Sequence, residues 1–236
     1  MPSALRNTLI TAVTALVFGF LGAAIWSISG LNDSRTREYL MANPDILPEM
    51  AEAYQSQEAS KRIASMGDEL FTAFPGAVLG NPDGTKVLVE FTDYNCPYCK
   101  SSLADVKRLV ESDREVKVVV REWPIFEGSD EPARMALAAA KQGKYEVFHD
   151  ALFEIGARDS ASIEAAAKKA GLDLEQARKD AASDAVTLEI ARNQGLAQGL
   201  GFDGTPSWVT RNKAINGAVG FDALKEALDK AADAES

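Results

Sequence analysis

From Asn7 to Asn32 the chain carries no charge, and Leu9 to Ile28 within it is an apolar run of 20 residues. As a helix rising ~1.5 Å per residue, that run reaches about 30 Å, the thickness of a bilayer core. Arg6 and the amino terminus put positive charge ahead of it, which sends the remainder across a membrane. Two readings stay open for residues 1–30. One is a retained membrane anchor with Trp26 at the interface. The other is a signal peptide cleaved near small residues such as Gly22 and Ala24, or Ser27 and Ser29. Residues 31–70 have helical texture. Asn43-Pro44-Asp45 reads as a helix start, with Asn as cap and Pro at the first helical position. Ile46, Leu47, Met50, Ala53, Tyr54 and Ile63 recur near the helical period. Such a stripe needs a cover: the body, a second copy of the chain, or a partner.

Strand patterns begin only after this segment. Ala77-Val78-Leu79, the turn Asn81-Pro82-Asp83-Gly84 and the run Lys86 to Phe91 read as a β-hairpin. Lys100 to Glu111 is helical, and Val116 to Glu122 is a second β-rich run closed by Trp123-Pro124. Residues 130–200 are alanine-rich and helical, with Asp173 and Gln176 placed as a capping pair. β texture returns at Ser207–Thr210 and around Asn216-Gly217, where Ala214-Ile215 and Ala218-Val219 flank the turn. Asp222 to Ala232 closes the chain as an amphipathic helix. The order predicts an α/β fold, a mixed sheet in residues 71–236 interrupted by a helical insertion at about 130–200.

Composition narrows the function. Of 236 residues, 46% are hydrophobic and 25% charged, which suits a folded chain. Acids outnumber bases 35 to 25, and the resulting −10 charge opposes a nucleic-acid surface. His149 is the sole histidine, so multi-histidine metal sites and Cys/His nucleophile pairs are hard to build. In its helical segment it reads as a packing or surface residue. Cys96 and Cys99 are the only cysteines.

The Cys96-Pro97-Tyr98-Cys99 pair has three readings. Half of a zinc site lacks its remaining ligands. A static disulfide closes a tiny loop and constrains little chain entropy. A redox dithiol fits best, because the pair lies where a strand hands over to a helix. There the unpaired N–H groups and the helix dipole stabilise a thiolate at Cys96. Pro97 suits the first helical turn, and Cys99, one turn on, can attack a mixed disulfide from within. Glu90, between Val89 and Phe91, is either an outward-facing strand residue or a buried proton acceptor beneath the cysteines. At Thr205-Pro206 the proline opens a strand, where a cis bond would bend the chain and expose the Thr205 backbone to an extended substrate.

Together, FTDYNCPYCK, REWPI, GKYEVFHDALF and GTPSWV resemble the exported DsbA-like branch of the thioredoxin superfamily, over about residues 40–232. The NPDIL segment resembles its ScsC-related subgroup. CPYC alone also occurs in glutaredoxins. Gly-Thr-Pro about 110 residues further on leaves room for an insertion that glutaredoxins lack. The resemblance implies that Cys96 is the exposed nucleophile and Cys99 the resolving thiol. It implies a cis Thr205-Pro206 bond that contacts substrate backbone, a substrate face that includes Pro97 and Tyr98, and a buried acidic role for Glu90. Tyr98 stands where strongly oxidising members have histidine, which argues against a very oxidising potential.

The expectation is therefore a protein-disulfide oxidoreductase acting on client proteins at the periplasmic side of the inner membrane, anchored by residues 9–28 or soluble if cleaved. It needs no cofactor and no metal. Implied partners are client thiols or disulfides, a membrane redox partner and a possible second copy through 31–70. A disulfide isomerase or reductase, or a peptide-binding chaperone module, remains an alternative.

Overall fold

The computed structural model describes residues 3–28, 31–157 and 159–233, and its side-chain description omits positions 3–6, 9, 24–28 and 31–34. The chain divides into two compact units, Met1–Gln55 and Ser56–Ser236.

The first unit is helical. It holds α1 (Ser3–Ile28), α2 (Leu31–Ala42) and the first part of α3 (Ile46–Met66). Asn43 does not cap α3 as its sequence context suggests. Its side-chain amide and backbone N–H both donate to the Tyr39 carbonyl, so it closes α2, and Pro44 sits in the turn between helices. Among the described residues no helix is long and apolar enough to cross a membrane. The expected anchor at 9–28 is therefore not supported there. Arg6, Ala24, Trp26, Ser27 and Ser29, which carry the orientation, interface and cleavage readings, lie outside the described side chains or residues.

The second unit is built on five strands: β1 (Val78–Gly80), β2 (Lys86–Thr92), β3 (Val116–Glu122), β4 (Ser207–Val209) and β5 (Ala214–Asn216). Their order is β1-β3-β2-β4-β5, with β2 and β3 parallel and the other pairs antiparallel. Two local expectations fail here. β1 makes no hairpin with β2 but pairs with β3. Asn81 N–H donates to the Val116 carbonyl, its amide to the Arg114 carbonyl, and Lys86 N–H to the Glu115 carbonyl. The 81–84 turn is thus laid against the start of β3, which steers β2 to the far side of that strand. Ala218-Val219 forms no strand, because β5 already ends at Asn216 after pairing with β4.

Between β2 and β3 runs α4 (Pro97–Ser112). Between β3 and β4 come α5 (Asp130–Lys141), α6 (Tyr145–Ile155), α7 (Ser160–Lys169), α8 (Leu174–Ala181) and α9 (Asp184–Leu200), and α10 (Phe221–Asp233) ends the fold. Both faces of the central strands are covered, so β2 and β3 are buried on either side. Leu88, Val118 and Val120 face a core shared with α4, α5, α6 and Trp208. Val89, Phe91 and Val119 face a second core with Ile63, Leu70, Phe71, Leu196 and Phe202.

The second core draws in the end of α3 and the 3-10 turn Gly67–Phe71. Ser60 Oγ donates to the Asn212 carbonyl and Arg62 to the Leu200 carbonyl. Arg121 of β3, fully buried, ties this layer together. It pairs with Glu189 of α9 at 2.7 Å and donates to the backbone carbonyls of Glu69, Leu70 and Thr72.

Candidate active site

At the carboxyl end of β2 the chain turns through Asp93-Tyr94-Asn95 into α4, with Cys96 at the N-cap and Pro97 at the first helical position. Pro97 suits that place because the N–H it lacks would have had no helical partner. The turn is locked by the Asp93 carboxylate. It accepts from the N–H groups of Asn95, Ile125 and Phe126 at 2.8, 2.8 and 3.1 Å and from Ser129 Oγ at 2.6 Å. Asn95 returns a bond to the Glu127 carbonyl. The strand-to-helix corner and the 124–129 loop are therefore one hydrogen-bonded piece. Asp93 has this role without any signal in the spacing beyond the turn-forming residues around it.

Both cysteines are thiols. Cys96 was expected to be exposed, but only 2% of its surface is. Its Sγ–H donates to the Thr205 carbonyl at 3.1 Å, and the 205–206 segment lies over it. Tyr98 beside it is 66% exposed, and Pro97 is exposed too, so the buried sulfur is next to a solvent-facing dipeptide. Cys99, one turn into α4, is buried. Burial, and then the charge of Glu90, pushes its thiol well above the usual range.

The Thr205-Pro206 bond is cis, and Thr205 and Pro206 are both buried. The Pro206 carbonyl accepts from Gly217 N–H at 2.8 Å and the Trp208 indole donates to the Gly217 carbonyl at 2.9 Å, which holds the segment at the start of β4. Glu90 pairs across the sheet with Val120 on one side and Trp208 on the other. It is 3% exposed, so the outward-facing alternative does not hold. Strand alternation points it, like Leu88 and Thr92, into the core that contains Cys96 and Cys99. Burial raises its carboxyl to about 8. Among the described residues its Oε2 and the Ser102 hydroxyl have no hydrogen-bond partner. Cys96, Cys99, Glu90, Thr205 and Pro206 thus converge from β2, α4 and the β4 entry, with Pro97 and Tyr98 on the outer rim.

One row further along the sheet lies a group that the sequence does not announce. Glu122, fully buried at the end of β3, accepts from Tyr94 at 3.0 Å and Tyr145 at 2.6 Å on the same oxygen. Tyr94 also contacts His149 Nδ1 at 2.9 Å. Burial lifts Glu122 to about 8 and lowers His149 to about 3. His149 is therefore an interior, neutral residue of a polar cluster.

A thioredoxin-like sheet, a helical insertion and a dithiol at the amino end of α4 define the class of DsbA-like thiol–disulfide oxidoreductases. The chain belongs to the DSBA-like thioredoxin domain family, whose model matches residues 87–229, and residues 36–61 match the copper resistance protein ScsC N-terminal domain. A thioredoxin-like oxidoreductase from Silicibacter pomeroyi is 46% identical, covering 71% of this chain and 98% of its own, with a TM-score of 0.67. A linker-deletion mutant of Proteus mirabilis ScsC is 28% identical over 85% of this chain and 93% of its own, with a TM-score of 0.69. The probable disulfide bond formation protein D of Bacillus cereus is 29% identical over 180 residues, 70% of this chain and 82% of that protein. The chain also matches the Na(+)/H(+) antiporter NhaA 1 of Salinispora arenicola at 27% identity over 158 residues, spanning 24% of that protein's length.

Proposed function

We propose that the chain is an exported thiol–disulfide oxidoreductase that exchanges disulfides with client proteins through Cys96. The observation that carries this reading is the placement of the two sulfurs. Cys96 caps α4 against the Thr205 carbonyl, beside exposed Pro97 and Tyr98, while Cys99 sits one turn inside.

In the oxidising direction a client thiolate attacks Cys96 of the Cys96–Cys99 disulfide, and Cys99 leaves with the bonding electron pair. A thiolate so deeply buried is unfavourable, and Glu90, protonated near neutral pH, is the adjacent group able to supply a proton. A second client thiolate then attacks the client sulfur of the mixed disulfide. The client leaves oxidised and Cys96 is the leaving sulfur. The Thr205 carbonyl, released from the thiol proton, can accept a backbone N–H from an extended client. The sulfur pair carries both electrons.

The reverse direction, isomerase or reductase, is the second reading. The exposed apolar side chains of the first unit, Tyr39, Met41, Leu47 and Tyr54, favour it, since self-association through 31–70 suits an isomerase that holds a client on several copies. The apolar run at 9–28 and the name of one neighbour, a periplasmic thioredoxin-like protein from Salmonella enterica, support export and a periplasmic site. Thiol trapping in intact cells tests direction: mostly oxidised Cys96 and Cys99 support an oxidase kept so by a membrane partner, mostly reduced ones an isomerase or reductase. Catalysed insulin reduction is expected in either case, and its absence from the purified chain contradicts the proposal. Light scattering on chains beginning at Leu31 and at Ser56 tests self-association.

A further inference from the structure

Glu122 sits opposite Thr92 at the end of β3 and among the described residues makes no hydrogen bond to either sulfur, yet its surroundings are those of a functional acid. It is fully buried, one oxygen receives two phenol O–H groups, and the other oxygen has no partner. The hydrogen-bond arithmetic ties it to His149. With Glu122 ionised, Tyr94 and Tyr145 both donate to it. The Tyr94 oxygen must then meet His149 as an acceptor, from an Nδ1–H. With Glu122 protonated, Tyr94 can donate to a bare Nδ1 instead. One phenol therefore links the ionisation of Glu122 to the tautomer of His149. That same Tyr94 belongs to the turn that presents Cys96.

We propose that Glu122, through Tyr94 and Glu90, is a positioning residue and second buried acid–base site of the dithiol. The inference rests on the thiol-exchange reading of Cys96 and Cys99.

The groups packed around Glu122 come from every side. Glu90 belongs to β2, Asp93 to the turn, and Tyr145 and His149 to α6. Lys107 of α4 acts on His149 while paired with Asp150, and Asn193 of α9 donates to the Glu122 backbone carbonyl. Among the described residues no cation is a hydrogen-bond partner of its carboxyl. The charge of Glu90 raises both Cys99 and Glu122, so the two carboxyls and the inner sulfur oppose one another's ionisation. A client dithiol that reduces the Cys96–Cys99 disulfide leaves as a disulfide and delivers two electrons and two protons. When Cys96 is the thiolate, one of those protons is left over, and near pH 8 and above, where one member of the Glu90–Glu122 pair is a carboxylate, that carboxylate takes it.

The test is the exchange equilibrium of the full chain with reduced and oxidised glutathione from about pH 6 to 9.5. Wild type is expected to show a proton-linked inflection near pH 8, and Glu122→Gln to lose part of it, so that the two constants diverge severalfold between pH 7 and 9. Tyr145→Phe, which removes the 2.6 Å donor, is expected to move the inflection to higher pH. A Glu122→Gln profile that superposes on wild type overturns the inference while leaving the exchange reading intact. A wild type that does not exchange at all overturns both. If Glu122→Gln does not fold, infrared spectra of Glu90→Gln decide: a protonated-carboxyl band persisting above pH 7 supports the inference, and its absence overturns it.

Discussion

Replacing Glu90 by glutamine should make stability less sensitive to pH in a direction and size that the burial of this residue dictates. Glu90 is 3% exposed on a central strand, with one oxygen unpartnered, and burial raises its carboxyl to about 8. In the unfolded chain the same group ionises near the ordinary value of 4.5. A raised folded value means that the native state holds a proton the unfolded state has released. The contribution of Glu90 is therefore most favourable below pH 4.5, falls as pH rises toward 8, and is flat above. Between pH 4.5 and 7 the loss is roughly 3 kcal/mol, at about 1.4 kcal/mol per pH unit. Glutamine keeps the shape and carries no proton to lose. Relative to wild type, Glu90→Gln should gain roughly 3 kcal/mol on going from pH 4.5 to 7, or roughly 6–12 °C in Tm at the higher pH. Urea unfolding of the disulfide form at the two pH values measures this without interference from the Cys99 thiol. Equal stability differences at both pH values would refute the placement of a buried, protonated carboxyl at Glu90.

Two further outcomes probe the frame that carries the site. Glu189→Ala strips the buried Arg121 of its counter-charge and should cost about 3–5 kcal/mol in denaturant unfolding, whereas a loss under 1 kcal/mol would mean the pair is not desolvated. Gly76→Ala asks a residue with φ +85° to carry a Cβ 2.4 Å from the Ala140 carbonyl oxygen, so a loss of about 2 kcal/mol or more is expected by thermal melting.

What the sequence made legible follows the range of the interactions involved. The βα unit with Cys96 and Cys99 was readable because a strand run, a proline at the first helical position and the cysteine spacing all lie within a few residues. The insertion was readable from sustained helical texture. The pairing of β1 is not legible locally because Asn81–Gly84 has hairpin chemistry, yet Asn81 bonds outward to Arg114 and Val116, more than 30 residues away. The role of Asn43 was reversed because one asparagine can close the helix before it or open the one after it, and its side chain chose Tyr39. Cys96 was expected in the open because the Thr205 carbonyl that covers it lies 109 residues further along the chain. Glu122, Tyr94, Tyr145 and His149 carry no shared spacing at all. Three elements bring them together, and only the fold shows that the lone histidine is an interior partner of a tyrosine.

The central claim is that the two sulfurs have unequal roles, with Cys96 exchanging and Cys99 resolving. Intact-mass measurement after incubating Cys99→Ala and Cys96→Ala with oxidised glutathione tests it most directly. Cys99→Ala should accumulate a single mixed disulfide at Cys96, because no inner thiol remains to displace it. Cys96→Ala should stay unmodified, because the Cys99 thiol, one turn inside α4, is held protonated. Equal modification of the two variants, or modification of Cys96→Ala alone, would contradict the account.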